Sequence, residues 1–257
     1  MTWIEALILG LVQGLTEFLP VSSSAHLVMA EELFGVNEPG VAFDVLVHGT
    51  TLLAVLIYFR ERILELAREK SWPYAGKIVV GTIPAGLVGV MFESAIERTF
   101  ADMGLLVLTL VVTGALLLSL NALPTEKAEV EEPSWWQAWW IGCAQMVSIL
   151  PGISRSGATI VTARWLGLAP AASAEFSFLL SVPAIAGALA LQAGEMRTAT
   201  AAGEGLVYLV GWVAAFVSGI VAIMLVFRLL AGRWFSLFGW YCITAAAAFG
   251  AWVWFRG

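Results

Sequence analysis

The sequence predicts an all-α polytopic membrane protein built as an inverted repeat. Three observations lead there. Charged residues make up 12% of the chain and hydrophobic ones 60%, with a mean hydropathy of +0.88. Soluble domains carry about 25% charged residues. Several apolar runs are long enough to cross a bilayer. Two polar, serine-rich stretches, 19–26 and 150–159, interrupt this apolar background in the same order of residue types. A transmembrane β-barrel would need alternating segments of roughly ten residues, whereas these runs are continuous.

The net charge is −6 and there is no long basic run, which excludes nucleic acid as a partner class. The two cysteines, Cys143 and Cys242, both sit in apolar stretches without metal-ligand spacing. They imply neither a zinc site nor a disulfide framework. The first basic residue is Arg60, so the start of the chain lacks the basic region of a signal peptide. Residues 1–35 are expected to belong to the mature fold. One membrane domain is expected over 1–257, with repeat 1 about 1–121, an acidic loop 122–134, and repeat 2 about 135–257.

Residues 3–18 form an apolar helix interrupted by Glu5, Gln13, Thr16 and Glu17. At this length it covers about 24 Å, short of the ~30 Å hydrocarbon core. Pro20 stops it. Ser22, Ser23 and Ser24 can cap a second short helix reaching Phe34. Two short helices around a polar turn make a re-entrant hairpin, which is tolerated at membrane depth only where protein buries it or water lines it. Residues 42–59 make the first full span. Residues 60–77 mix Arg60, Arg62, Arg68, Lys70 and Lys77 with Glu61, Glu65 and Glu69 and read as an aqueous loop. Spans follow at 77–92 and 103–121, joined by a short loop with Glu93, Glu97, Arg98 and Asp102. Glu126, Glu129, Glu131 and Glu132 then mark a solvated midpoint around Lys127.

The pattern restarts at Trp135, Trp136, Trp139 and Trp140, residues that favour a membrane interface. An interrupted apolar segment runs to Leu150. The polar stretch follows, then a short helix to about Gly167. Spans at 172–192, 206–228 and 237–255 complete the second half. Ser22, Ser23 and Ser24 match Ser154, Arg155 and Ser156; the run from Phe43 to His48 echoes the run from Phe176 to Ser181. Each half is one hairpin plus three spans. An odd number of spans per half inverts the two copies. Orientation follows from Lys and Arg. One side carries eight of them: Arg60, Arg62, Arg68, Lys70, Lys77, Lys127, Arg228 and Arg233. The other carries three: Arg98, Arg197 and Arg256. The first side is expected to be cytoplasmic, with both termini and the mouth of the first hairpin outward.

Inverted hairpins enter from opposite faces, so their tips can meet inside the protein. Each tip opens a helix, and helix N-termini with free N–H groups bind anions. Two such ends, rich in hydroxyls and sharing one arginine, describe a cradle for phosphate or pyrophosphate. Arg155 offers a planar fork suited to phosphate oxygens. Serines that do nothing but cap helices are the plainer alternative. Gln13 and Glu17 are four apart and share a helix face. Glu17 could hold a divalent cation together with substrate phosphates, act as a general base, or be neutralised by Arg155. His26 follows the serines within one helical turn and suits proton transfer; His48 reads as structural, and Asp44 as interfacial. Ser23 is the best nucleophile candidate. Attack by water oriented by Glu17 or His26 stays open beside it.

Two motifs carry a family resemblance: Gln13-Gly14-Leu15-Thr16-Glu17-Phe18-Leu19-Pro20-Val21-Ser22-Ser23-Ser24-Ala25-His26, and Pro151-Gly152-Ile153-Ser154-Arg155-Ser156-Gly157-Ala158-Thr159. They closely resemble the paired motifs of the undecaprenyl pyrophosphate phosphatases, also called bacitracin-resistance proteins, and the resemblance extends along the whole chain. It implies an integral membrane hydrolase that converts a polyprenyl pyrophosphate lipid to its monophosphate at the outer face of the cytoplasmic membrane. It also implies a divalent cation, Mg2+ or Ca2+, and recycling of the lipid carrier for cell-wall glycans. By position, Glu17 resembles the essential acid and metal ligand, Ser23 the nucleophile, His26 the proton-transfer residue and Arg155 the pyrophosphate clamp. Gln13, Ser22, Ser24, Ser154, Ser156 and Thr159 resemble the surrounding substrate contacts. Two positions depart from the pattern. Gln13 stands where many members have a second Glu, which weakens a two-carboxylate metal site. Ala25 replaces a usual Gly. A lipid flippase is the rival expectation, since inverted repeats with broken helices also build transporters; an inactive lipid-binding protein is another. The sequence leaves a homodimer open.

Overall fold

A computed structural model describes residues 1–35, 41–68, 71–123, 130–199, 205–230 and 233–256. Among them the architecture is helical, with one isolated β-bridge between Val130 and Leu168. Expectations placed on Glu69, Lys70, Glu126, Lys127 and Glu129 lie outside the described residues.

The chain opens with α1 (Trp3–Phe18) and α2 (Ser23–Phe34). Thr2 and Glu5 close a capping box at the start of α1, satisfying donors that the first helical turn leaves open. Then come α3 (Val41–Tyr58), α4 (Arg60–Arg68), α5 (Trp72–Met91), α6 (Glu93–Phe100) and α7 (Met103–Leu118). The second half runs α8 (Trp135–Val147), α9 (Arg155–Trp165), α10 (Pro170–Ala199), α11 (Gly205–Leu230) and α12 (Leu237–Arg256). Short 3-10 turns follow α7 and precede α12.

Five helical segments among the described residues are long and apolar enough to cross a bilayer; they correspond to α5, α7, α10, α11 and α12. A sixth arises if α3 and α4, bent by 62° at their junction, count as one broken span. The helix pairs α1–α2 and α8–α9 are each too short to qualify. The expected spans at 77–92, 103–121, 172–192, 206–228 and 237–255 thus have counterparts, and the one expected at 42–59 qualifies only together with α4.

Two expected loops are helices. Residues 60–68 form α4 because Ile63 and Leu66 turn inward to the core. Arg62 bridges Glu65 at 3.0 Å on the same helix and Glu175 of α10 at 2.9 Å. Charge alone did not make this stretch a loop; its apolar residues recur at helical spacing. Residues 93–100 form α6, and Asp102 then caps α7 by accepting from Leu105 N–H at 2.9 Å. Helix α5 starts at Trp72, inside the stretch read as loop. Lys77 pairs with Glu132 at 3.3 Å, so one acid of the midpoint cluster ties that segment to α5.

Small residues let the helices approach closely, as membrane packing requires where lipid supplies no hydrophobic drive. Helix α1 lies on α11. A Cβ on Gly14 would overlap the Ser218 hydroxyl and the Ala215 carbonyl and stand 2.9 Å from Gly219 N. Helix α8 lies on α5 in the same manner, where a Cβ on Gly142 would reach the Gly81 carbonyl and lie 2.7 Å from its Cα. The packing is reciprocal. Helix α1 rests on α11 and α8 on α5, while α3 packs on α10 and α7 on α12. At the centre Phe18, Phe59, Phe178 and Phe227 form an aromatic cluster with centroids 5.6–6.1 Å apart. Such pairs add about 0.5–1.5 kcal/mol each beyond area burial. They anchor α1 at the residue next to Glu17.

Candidate active site

The two helix pairs meet at their tips. Gly152 N–H donates to Ser24 Oγ at 3.3 Å, and Ser156 Oγ donates to the Leu19 carbonyl at 3.2 Å. Each tip is built alike. Ser22 caps α2 by accepting from Ala25 N–H at 3.4 Å, and Ser154 caps α9 by accepting from Gly157 N–H at 3.1 Å. Ser22 and Ser24 share a hydrogen bond at 3.1 Å; Ser154 and Ser156 share one at 3.2 Å. The matched serines therefore hold matched positions, with two helix N-termini converging on one volume.

Helix α7 fixes the second tip. Thr109 Oγ1 donates to the Pro151 carbonyl at 2.5 Å, and Thr113 Oγ1 donates to the Gly152 carbonyl at 2.8 Å. Thr113 Oγ1 also accepts from Ser154 N–H at 3.1 Å. Gly152 has φ 89°, a left-handed conformation that glycine adopts without strain. Thr159 is fully buried; its Oγ1 donates to the Arg155 carbonyl at 2.8 Å and lies 2.5 Å from Ser177 Oγ of α10, which ties α9 to α10.

The two halves differ where the chemistry sits. Gln13 precedes Ser22 by nine positions, as Gln145 precedes Ser154. In that register Glu17 falls opposite Ile149, and Ser23 opposite Arg155. These unmatched residues converge. Arg155 Nη2 donates to Glu17 Oε1 at 2.5 Å, Ser23 Oγ donates to Glu17 Oε2 at 2.8 Å, and Gln13 Nε2 donates to the same oxygen at 3.1 Å. The side chains of Glu17 and Arg155 are 8% and 14% exposed. Local sequence gives Arg155 no acid beside it; the other helix pair supplies one. Two buried groups here lack a protein hydrogen-bond partner, Arg155 Nη1 and Gln13 Oε1. Buried polar atoms are normally satisfied, so a donor and an acceptor stand open beside the carboxylate. Gln145 is also buried with both polar ends unpartnered.

His26 does not bond Ser23. Its Nδ1 lies 2.8 Å from the Ser22 carbonyl and its Nε2 2.8 Å from the Tyr241 hydroxyl of α12. A Ser–His–acid relay is thus not assembled; Ser23 faces the carboxylate directly. A cavity of about 1080 Å3 opens onto Ser24. Its lining combines apolar Leu27, Phe100, Met103 and Leu189 with Glu31, Asp44, His48 and Glu97. No group of three metal-ligating side chains occurs among the described residues.

Sequence reasoning did not find Tyr241, Thr109, Thr113 or the cavity role of His48. Thr109 and Thr113 did carry a signal: two hydroxyls four apart in an apolar span share one helix face. Tyr241 carried none, lying 215 positions from its partner.

The fold and site define an integral membrane protein with a buried carboxylate–guanidinium pair held between two helix N-termini at the meeting of two short helix pairs. Residues 6–248 match the family described as bacitracin resistance protein BacA. The undecaprenyl-diphosphatase of Carboxydothermus hydrogenoformans is 41% identical over 92% of this chain and 93% of its own length. The undecaprenyl-diphosphatase of Methanobrevibacter smithii is 39% identical over 93% of each chain. That of Syntrophotalea carbinolica is 38% identical over 98% of this chain and 99% of its own. The chain belongs to the bacitracin resistance protein family.

Proposed function

We propose that the protein hydrolyses undecaprenyl diphosphate, or a closely related polyprenyl diphosphate, to the monophosphate lipid and inorganic phosphate. The observation that carries this reading is the Ser23–Glu17–Arg155 constellation between two helix N-termini. It joins a hydroxyl nucleophile, a carboxylate and a cation at a ready-made anion site. The headgroup is received by the N–H groups and hydroxyls at Ser22–Ser24 and Ser154–Ser156. Arg155 Nη1, the unpaired donor, takes a phosphate oxygen. Glu17 accepts the Ser23 proton as Ser23 Oγ attacks the terminal phosphorus. The bond to the bridging oxygen breaks, and the lipid leaves as its monophosphate. Water then cleaves the phosphoserine, returning the proton to Ser23 and releasing phosphate. Arg155 and the helix ends stabilise charge at the equatorial oxygens, the main source of catalysis in phosphoryl transfer. His26 moves protons at the edge of the site.

Glu17 and the unpartnered Gln13 Oε1 would supply two hard oxygen ligands to a divalent cation. That donor set suits Mg2+ or Ca2+ when phosphate and water complete the shell. The bound cation would neutralise phosphate charge.

The reciprocal packing supports an inverted repeat with halves about 1–121 and 135–257. The Lys/Arg asymmetry supports a cytoplasmic location for α4, with both termini and the cavity at Ser24 outward. The test is phosphate release from undecaprenyl diphosphate by purified protein in detergent micelles, run beside a lipid-flipping assay in vesicles. Hydrolysis in micelles is expected. Flipping without hydrolysis, in folded protein given metal, would replace the phosphatase with a flippase.

A further inference from the structure

His26 is held at both ring nitrogens. A carbonyl oxygen only accepts, so Nδ1 carries the proton and donates to Ser22. The neutral ring then presents Nε2 as an acceptor, and the Tyr241 hydroxyl donates to it. The two rings also stack, with centroids 5.5 Å apart and planes 11° from parallel. The Ser22 carbonyl is itself fixed, because Ser22 holds φ 71°, rare for a residue with a side chain. The next residue of α12, Cys242, reaches the Pro20 carbonyl at 3.7 Å. Helix α12 thus touches the first tip at two successive residues, one on each side of the Val21–Ser22 turn.

We propose that Tyr241 is a positioning residue for His26, fixing its tautomer through the hydroxyl and its plane through the stacked ring. The proposal deepens the phosphatase reading, in which His26 moves a proton, and rests on it for its kinetic consequence. In the resting arrangement the only basic atom of the imidazole bonds Tyr241, while Ser23 bonds Glu17. A proton taken up at Nε2 reverses that hydrogen bond: the imidazolium donates to the phenol oxygen, and the phenol hydrogen turns elsewhere. The other titratable groups about this tip include Cys242 on α12, Glu17 on α1, Arg155 on α9 and His48 on α3, which lines the cavity at Ser24. None of them bonds the ring among the described residues.

The variant Tyr241→Phe keeps the stack and removes the donor. The phenol donates to Nε2 of the neutral ring but accepts a charge-assisted bond, the stronger of the two, from the imidazolium, so its loss disfavours the imidazolium. The acid limb of the kcat/KM profile should move to lower pH by roughly 0.5–1 unit. Turnover should fall about tenfold, within the range set by a misplaced proton-transfer group, with KM little changed. A fall in turnover with an unmoved limb would mark Tyr241 as structural only and overturn the proposal. So would a profile that superimposes on wild type. An arm independent of hydrolysis and of the variant's folding uses wild-type protein with 15N-labelled histidine in micelles, His26 being assigned against His48→Asn. The Nδ1–H tautomer with a hydrogen-bonded Nε2 is expected. An Nε2–H tautomer would overturn the pairing even in an active enzyme. The expected spectrum in a protein that hydrolyses nothing would instead count against the phosphatase reading.

Discussion

Arg155 meets Glu17 across 138 positions of sequence, with Nη2 2.5 Å from Oε1. Among the described residues the pair is the one place where the two helix pairs exchange charge, and it leaves Nη1 without a protein partner. A guanidinium half spent on a carboxylate and half open can grip a phosphate without losing its orientation. Arg155→Ala should therefore lower turnover at least ~100-fold, as loss of a transition-state charge does. Arg155→Lys should restore little, because a point charge cannot bond the acid and the phosphate through one planar fork. Near-wild-type turnover in Arg155→Ala would remove the arginine from the mechanism.

The same pair should show in stability. Removing one partner of a buried ion pair leaves the other uncompensated, at a cost of about 3–5 kcal/mol. Arg155→Met should lower the thermal midpoint in detergent more than the double variant Glu17→Gln/Arg155→Met does. Additive losses would show that the two side chains do not depend on each other in the folded protein.

Ser23 donates to Glu17 rather than to His26. Ser23→Ala should drop hydrolysis to background, and wild-type protein quenched during turnover should carry phosphate on Ser23. Residual activity well above background, with no phosphoprotein, would shift attack to a water oriented by Glu17.

Gln13 gives the carboxylate a neutral neighbour at 3.1 Å. Chelation should abolish hydrolysis and added Mg2+ should restore it. Gln13→Glu should lower the Mg2+ concentration for half-maximal rate by roughly tenfold, since ligand charge tunes cation affinity. An unchanged metal requirement would place the cation away from α1.

The α1–α11 seam leaves no room for a side chain at Gly14. Gly14→Val should destabilise by more than the ~1–3 kcal/mol of ordinary overpacking, because backbone atoms of α11 cannot turn aside. Gly86, whose Cβ position meets nothing within 4 Å, should accept Ala without loss, since alanine favours the helix over glycine. Equal thermal midpoints for the two variants would mean that the seam is not closed in solution.

Orientation can be read by labelling Glu61→Cys, whose parent side chain is 86% exposed, in a background lacking Cys143 and Cys242. Reaction should require permeabilised cells. Ready labelling of intact cells would reverse the assigned topology.

Much of this molecule was legible in the chain because membrane helices announce themselves by length and composition. The two tips stood out because polar residues at membrane depth need a reason. Helices α4 and α6 did not stand out. Their charges read as solvent loop, and only Ile63 and Leu66 hinted that one face is buried. In the site, Glu17, Ser23 and Arg155 were recognisable as residue types at telling positions. The Glu17–Arg155 pairing was one of three readings open for the carboxylate, since local spacing cannot single out a neighbour more than a hundred residues away. It placed His26 near the serines, whereas the fold turns its ring toward Tyr241.

The split origin of the ion pair bears on how the protein is made. Glu17 leaves the ribosome 138 residues ahead of its counterion, an interval on the order of ten seconds at ordinary synthesis rates. During that time a carboxylate on a short, otherwise apolar helix has no arginine to meet, and the hydrocarbon interior rejects it. The first helix pair therefore cannot settle at its final depth when it emerges. It must wait at the interface, or travel protonated, until the second pair arrives to neutralise it. Completion of the centre thus waits for the second half of the chain, and a chain truncated before Arg155 lacks the counterion of its own first helix.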